Sequence, residues 1–138
     1  MNKILYDMEK RPFIYRIEDE LGKGCYRFMD EIEWLNEHCK FNGRPCPIED
    51  KGIDRYMDAN EICGFKDMEQ LKAWFTEEEI RDLAQKGFEI KKVYVKTITA
   101  IGEKQVLAIP LYKEEHLFIP VKSAEEISYG IAFELPED

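Results

Sequence analysis

The spacing of apolar residues changes period once between Asp67 and Leu111, and that change separates helix from strand. Met68, Leu71 and Phe75 fall at i, i+3 and i+7, one helical stripe, with Trp74 on its border. Asp67 suits an N-cap, and Gln70 three residues on completes a capping-box pattern by reaching back to it. Thr76 and Glu79 repeat the pattern, Glu77 and Glu78 complement the helix dipole, and Ile80, Leu83 and Ala84 form the next stripe. Gly87 fits the left-handed position that ends a helix. Two short helices bent at Thr76 are therefore expected over 67–86, burying Leu71, Phe75, Ile80 and Leu83. After Gly87, Phe88, Ile90, Tyr94 and Ile98 alternate with Glu89, Lys91, Val95 and Thr97, which is strand spacing. A turn at Ile101-Gly102-Glu103-Lys104 leads into Gln105 to Leu111, nearly all apolar. That strand is expected near the centre of a sheet, covered on both faces, with Pro110 ending its pairing.

The flanking chain carries weaker patterns. Phe13, Tyr15 and Ile17 alternate with Ile14, Arg16 and Glu18, which predicts a strand over 13–18. Gly22-Lys23-Gly24 reads as a turn, because a lone G-x-G without a third glycine is no phosphate loop. Asp30 caps a helix running to about Lys40 on Ile32, Leu35 and Cys39, beside Trp34. Asn42-Gly43 stops it, and Pro45-Cys46-Pro47 impose extended backbone on a long loop, 41–52, of a kind that often serves function. Ile53, Tyr56, Met57 and Asn60 fit a short helix. Leu117-Phe118-Ile119 is a short strand closed by Pro120, and Tyr129, Ile131, Phe133 and Leu135 alternate as another. The sum is one α+β domain spanning 1–138, with its core in 13–111 and C-terminal strands in 117–135. Its sheet is expected to be mostly antiparallel, with four to five strands and three to four helices.

Composition narrows the function classes. The formal charge is −9, so direct nucleic-acid binding, which needs a basic face, is not expected. Such a surface suits solubility, or a basic protein surface as partner. No apolar run approaches the ~18 residues of a membrane span. The first seven residues meet charge too early for a secretory signal, and the four cysteines lack framework spacing, so reduced thiols in a cytoplasm are expected.

Candidate chemistry is sparse. Cys25, His38, Cys39 and Cys46 do not make a zinc site: His38 and Cys39 are adjacent and cannot both face one centre from a helix, and no C-x₂-C pair exists. No metal and no disulfide are expected. A Cys–His nucleophile pair has no preferred members among the four cysteines with His38 or His116. The most suggestive group is Arg16, the Gly22–Tyr26 loop, and Glu103 with Gln105 at the late hairpin. A mid-strand arginine must find an anion or point outward. The plainer expectation places Arg16 on an exposed face opposite Phe13, Tyr15 and Ile17.

Tyr15-Arg16-Ile17-Glu18, Gly22-x-Gly24-x-Tyr26, Pro45-x-Pro47-x-x-Asp50, Gly64-Phe65 with Gln70-Leu71-x-x-Trp74-Phe75, Gly87-Phe88 and Gly102-x-x-Gln105-Val106 form one string of landmarks. It resembles a group of small uncharacterised phage and prophage proteins over roughly residues 13–109. That resemblance implies an accessory protein in a bacterial host's cytoplasm. With the acidic charge, the expected action is binding to a basic host protein, such as a nucleic-acid-binding defence factor, without a cofactor. The order of elements is also similar to ADP-ribosyltransferase-like domains. That likeness implies NAD as cofactor, Arg16 and Tyr26 as residues that bind it, and Glu103 or Gln105 as catalytic with Arg16. The chain departs from that pattern in having no Ser-Thr-Ser run and an amide at the second position of Glu103-Lys104-Gln105.

Overall fold

The computed structural model describes residues 11–28, 31–38, 46–113 and 115–121. Cys39 and the strand expected at 129–135 lie outside these residues. The caps place two helices where the apolar period requires them. Asp67 accepts from Gln70 N at 2.8 Å and starts α2, Met68–Trp74; α1 is the earlier Glu33–His38. Thr76 and Glu79 exchange both capping bonds and start α3, Glu77–Gln85, which ends before Gly87 at φ 93°. Gln70 does not close a box on Asp67. Its oxygen accepts from Lys66 N, and its amide donates to Gly102 O and Glu103 O, both at 3.1 Å. The side chain thus ties α2 to a distant hairpin turn.

The sheet is antiparallel and curled. β1 (Phe13–Glu18) pairs the first half of the long β3 (Glu89–Ile101), and β4 (Val106–Pro110) pairs the second half. β2, Ile62–Gly64, pairs the far side of β4. The curl then closes: Tyr15 N donates to Phe65 O at 2.7 Å and Phe65 N to Tyr15 O at 2.8 Å, joining the two ends of the β1-β3-β4-β2 path. Register shifts between Val95 and Thr97 and between Ile98 and Ala100 supply the bend this requires. β4 is buried on both faces, and its last pair is Val95 with Pro110.

Two apolar clusters follow from the curl. Inside it, Ile14, Val93, Val95, Val106 and Ala108 pack together, with Ile62 and Ile98 against them. Outside, Ile17, Phe65, Phe88 and Ile90 meet Leu71, Trp74, Phe75, Ile80 and Leu83 from the helices. Trp34 Nε1 donates to Asp82 at 2.7 Å, fastening α1 to α3. The fold is α+β, as the sequence implied.

Three expectations need correction, and one strand, β2, was not expected. No helix forms over 53–60; the segment is turn and bend, with Ile53 buried while Tyr56 and Met57 stand in solvent, because a single apolar anchor cannot hold a helical face. β2 had no alternation to announce it, being three residues long. Pro120 does not close the last strand: β5 runs Phe118–Val121, and an edge strand tolerates a residue without an N–H. Arg16 lies opposite Phe13, Tyr15 and Ile17 as expected, but that face is the inside of the curl, and its side chain is only 13% exposed.

Candidate functional site

On the inner face of β1 and β3 the register continues from Ile14 and Val93 to Arg16 and Lys91. The apolar filling therefore gives way to ions at one end of the curl. The answer to the mid-strand arginine is Glu18, two residues along the same strand, whose fully buried carboxylate pairs with the Arg16 guanidinium. His116 Nδ1 lies 2.7 Å from Glu18 Oε2, and Lys91 Nζ lies 3.6 Å from Oε1. Burial pushes the Glu18 carboxyl up; the His116 hydrogen bond and the charges of Arg16, His116 and Lys91 outweigh it and hold it below the ordinary value. An ionised Glu18 only accepts, so Nδ1 of His116 carries the proton in this contact. Lys91, itself buried, donates to Asp19 O at 2.7 Å and rests over the Phe118 ring at 4.0 Å.

The Gly22–Tyr26 loop folds over this cluster. Asp19 accepts from Leu21 N and Lys23 N, Gly22 turns at φ 79°, and Gly24 bridges back to Glu18. A Cβ on Gly24 would sit 3.1 Å from Arg16 Nη2, and one on Gly64 would meet Tyr15 O at 2.7 Å. The glycines thus serve close packing around Arg16 rather than a phosphate.

Arg16, Tyr26 and Gln105 do converge. With Cys25, Cys63 and Trp74 they line a cavity of about 60 Å³. Its roof is aromatic: Trp74 Nε1 donates to Tyr26 Oη at 2.9 Å, Tyr26 stacks on Phe75, and Phe65 meets Phe75 edge to plane and Trp74 at a tilt. Glu103 is not part of it. That residue lines a separate open groove of about 240 Å³ with Lys66, Asp67, Glu69 and Lys104. Arg16, Tyr26 and Gln105 are legible in the sequence as candidates; Glu18, Lys91 and His116 are not. The Arg-x-Glu spacing on one strand face was the available signal.

The chemistry open to this site is limited by its size and its pairing. Pockets that enclose a drug-sized ligand occupy roughly 300–1,000 Å³. Burial pushes the Cys25 thiol up to about 12, so it is not a thiolate nucleophile near neutral pH. Among the described residues no three His, Cys, Asp or Glu side chains converge as metal ligands, and no helix is long and apolar enough to cross a membrane.

A second polar arrangement lies on the loop before β2 and the β3–β4 turn. Asp50, 1% exposed, accepts from Gln105 N at 3.0 Å and from Lys104 N at 3.2 Å. A Cβ on Gly102 would stand 2.5 Å from its carboxylate, so only glycine leaves room for this clasp. Glu61 takes both Arg55 guanidinium nitrogens at 2.8 Å and also holds Thr99 of β3. The hydrogen bonds from Arg55, with Thr99 and Asp58 N adding to them, bring its carboxyl down to about 2. The 41–52 loop therefore holds the hairpin in shape through its last residues.

Comparison with known proteins gives one result: the family model described as Bacteriophage T4 Y00F protein matches residues 5–118. No curated protein matches the chain, and no solved structure does.

Proposed function

The chain belongs to the Bacteriophage T4 Y00F protein family, and from that premise we propose that it is a phage accessory protein acting by binding a host protein. The proposed partner surface is basic, as on a nucleic-acid-binding defence factor, and the proposed setting is the cytoplasm of the infected bacterium. The observation that carries this reading is where the charge goes. Among the described residues the buried ions nearly cancel in number: the anions are Glu18, Asp50 and Glu61, and the cations are Lys91 and the largely buried Arg16. Nearly all of the −9 formal charge is thus left outside these sites. An acidic exterior steers association with a basic partner and repels nucleic acid itself.

The test is capture with the tagged full chain from host lysate, followed by titration of the purified pair. One-to-one saturation without NAD, with an association rate that falls as salt rises, is the expected result. A rate indifferent to salt, or action at far below one-to-one, would contradict it.

An ADP-ribosyltransferase-like enzyme, or its inactive relative, is the second reading, favoured by Arg16, Tyr26 and Gln105 sharing one cavity. Against it stand the cavity's size, the engagement of Arg16 by Glu18 and the placement of Glu103 elsewhere. Millimolar NAD is expected to leave the melting temperature unchanged; a rise abolished in a folded Arg16→Ala variant would favour the enzyme.

A further inference from the structure

The loop between the Pro47–Glu49 turn and β2 is fixed at four points yet contributes one buried apolar side chain, Ile53. Asp50 fixes it to the β3–β4 turn, and Glu103 N donates to Lys51 O at 3.0 Å. Gly52 packs against Ile101, where a Cβ would lie 2.5 Å from its carbonyl oxygen. Glu61 joins Arg55 to Thr99 of β3, and Arg55 also donates to Tyr56 O. Asp54 holds φ 56°, a left-handed conformation uncommon outside glycine. Two buried carboxylates and a strained turn thus fix a segment that adds little to the core.

What the segment presents is apolar. Tyr56 is 73% exposed, Ile101 55% and Met57 46%, and Ile48 lies at the near end of the same loop. Around them stand exposed Glu49, Asp54, Asp58 and Glu103, against Lys51 and Lys104. Arg55 is already engaged by Glu61. Tyr and Met are residue types enriched where proteins meet, and a pre-ordered loop loses little entropy on docking.

We propose that this face, made by residues 48–57 and the end of β3 at Ile101, is where a protein partner docks. The partner it fits has an apolar centre ringed by lysine and arginine. The assignment rests on the binding function proposed above and adds the surface that performs it.

The test uses the full chain and the purified host protein it retains. Tyr56→Ser with Met57→Ser is expected to weaken binding at least tenfold, while Glu77→Gln with Glu78→Gln on α3 changes it less than twofold. Asp58→Lys with Glu103→Lys is expected to slow association at low salt. A photoreactive residue at position 56 is expected to crosslink to a lysine- and arginine-bearing segment of that protein, and one at position 78 is not. Binding unchanged within twofold in the Tyr56/Met57 variant would overturn the surface while leaving the binding function standing. Crosslinking only to a second copy of the chain would also overturn it. If the wild-type chain retains no host protein at low salt, both proposals fall together.

Discussion

The two ends of the curled sheet bury charge for opposite purposes. At one end Arg16, Lys91 and His116 pair with the buried Glu18, and Arg16 also lines a cavity of about 60 Å³ with Tyr26 and Trp74. At the other end Asp50 and Glu61, both on the loop before β2, fasten that loop to the β3–β4 turn and to Thr99 of β3, and the loop carries Tyr56 and Met57 into solvent. The first arrangement completes an interior. The second gives a fixed shape to a surface. Buried ions alone do not mark a functional site; what they hold in place is the more informative question.

The largest effect expected from breaking this contrast is at the closed end. Glu18→Ala would strand Lys91 and Arg16 in a region that excludes water, and the expected loss is ~3–5 kcal/mol in denaturant unfolding. A loss below about 0.5 kcal/mol, the usual surface value, would mean that these ions are hydrated. Asp50→Ala should cost less, ~1–3 kcal/mol, because it orphans the buried N–H of Gln105 and the half-buried N–H of Lys104 rather than a charge. The same variant is expected to raise hydrogen exchange in the loop over 50–57, which separates a clasp from a general loss of stability.

Acid should loosen both ends. Glu61 in the folded chain sits at about 2 against an ordinary 4.5, and Glu18 is also held below 4.5. A depressed carboxyl contributes stability that is full above its unfolded value and is lost as pH falls through the folded one. Unfolding free energy is therefore expected to fall from about pH 4.5 toward pH 2, and Glu61→Gln should flatten part of that slope. A wild-type slope that Glu61→Gln leaves untouched would place its origin elsewhere. The smallest stability effect is expected at Tyr56→Ser, within about 0.5 kcal/mol, since the side chain is mostly in water. A larger loss would show that Tyr56 packs as part of the fold.

Legibility in the sequence followed the range of the interaction. Asp67, Thr76, Glu79 and Gly87 act within a few residues of themselves, so the helices and their ends could be read directly. The strands of β1, β3 and β4 declared themselves by alternation or by continuous apolar composition. The partners of Arg16 could not be read in full. Glu18 is near, but Lys91 and His116 reach it only through a register and a chain return that no local pattern encodes. Gln70 illustrates the same limit: its position suggested a cap, while its amide serves a hairpin more than thirty residues on. Over 53–60, Ile53, Tyr56 and Met57 have helical spacing without forming a helix, and spacing does not reveal that two of the three remain exposed.

Hydrogen exchange of the chain, free and bound to the purified host protein, compares the two ends in one measurement. Exchange is expected to slow over 48–57 and around Ile101, with residues 16–26 unchanged. Protection confined to 16–26, with the loop indifferent, would place binding at the Arg16 cavity and contradict the assignment of docking to the loop.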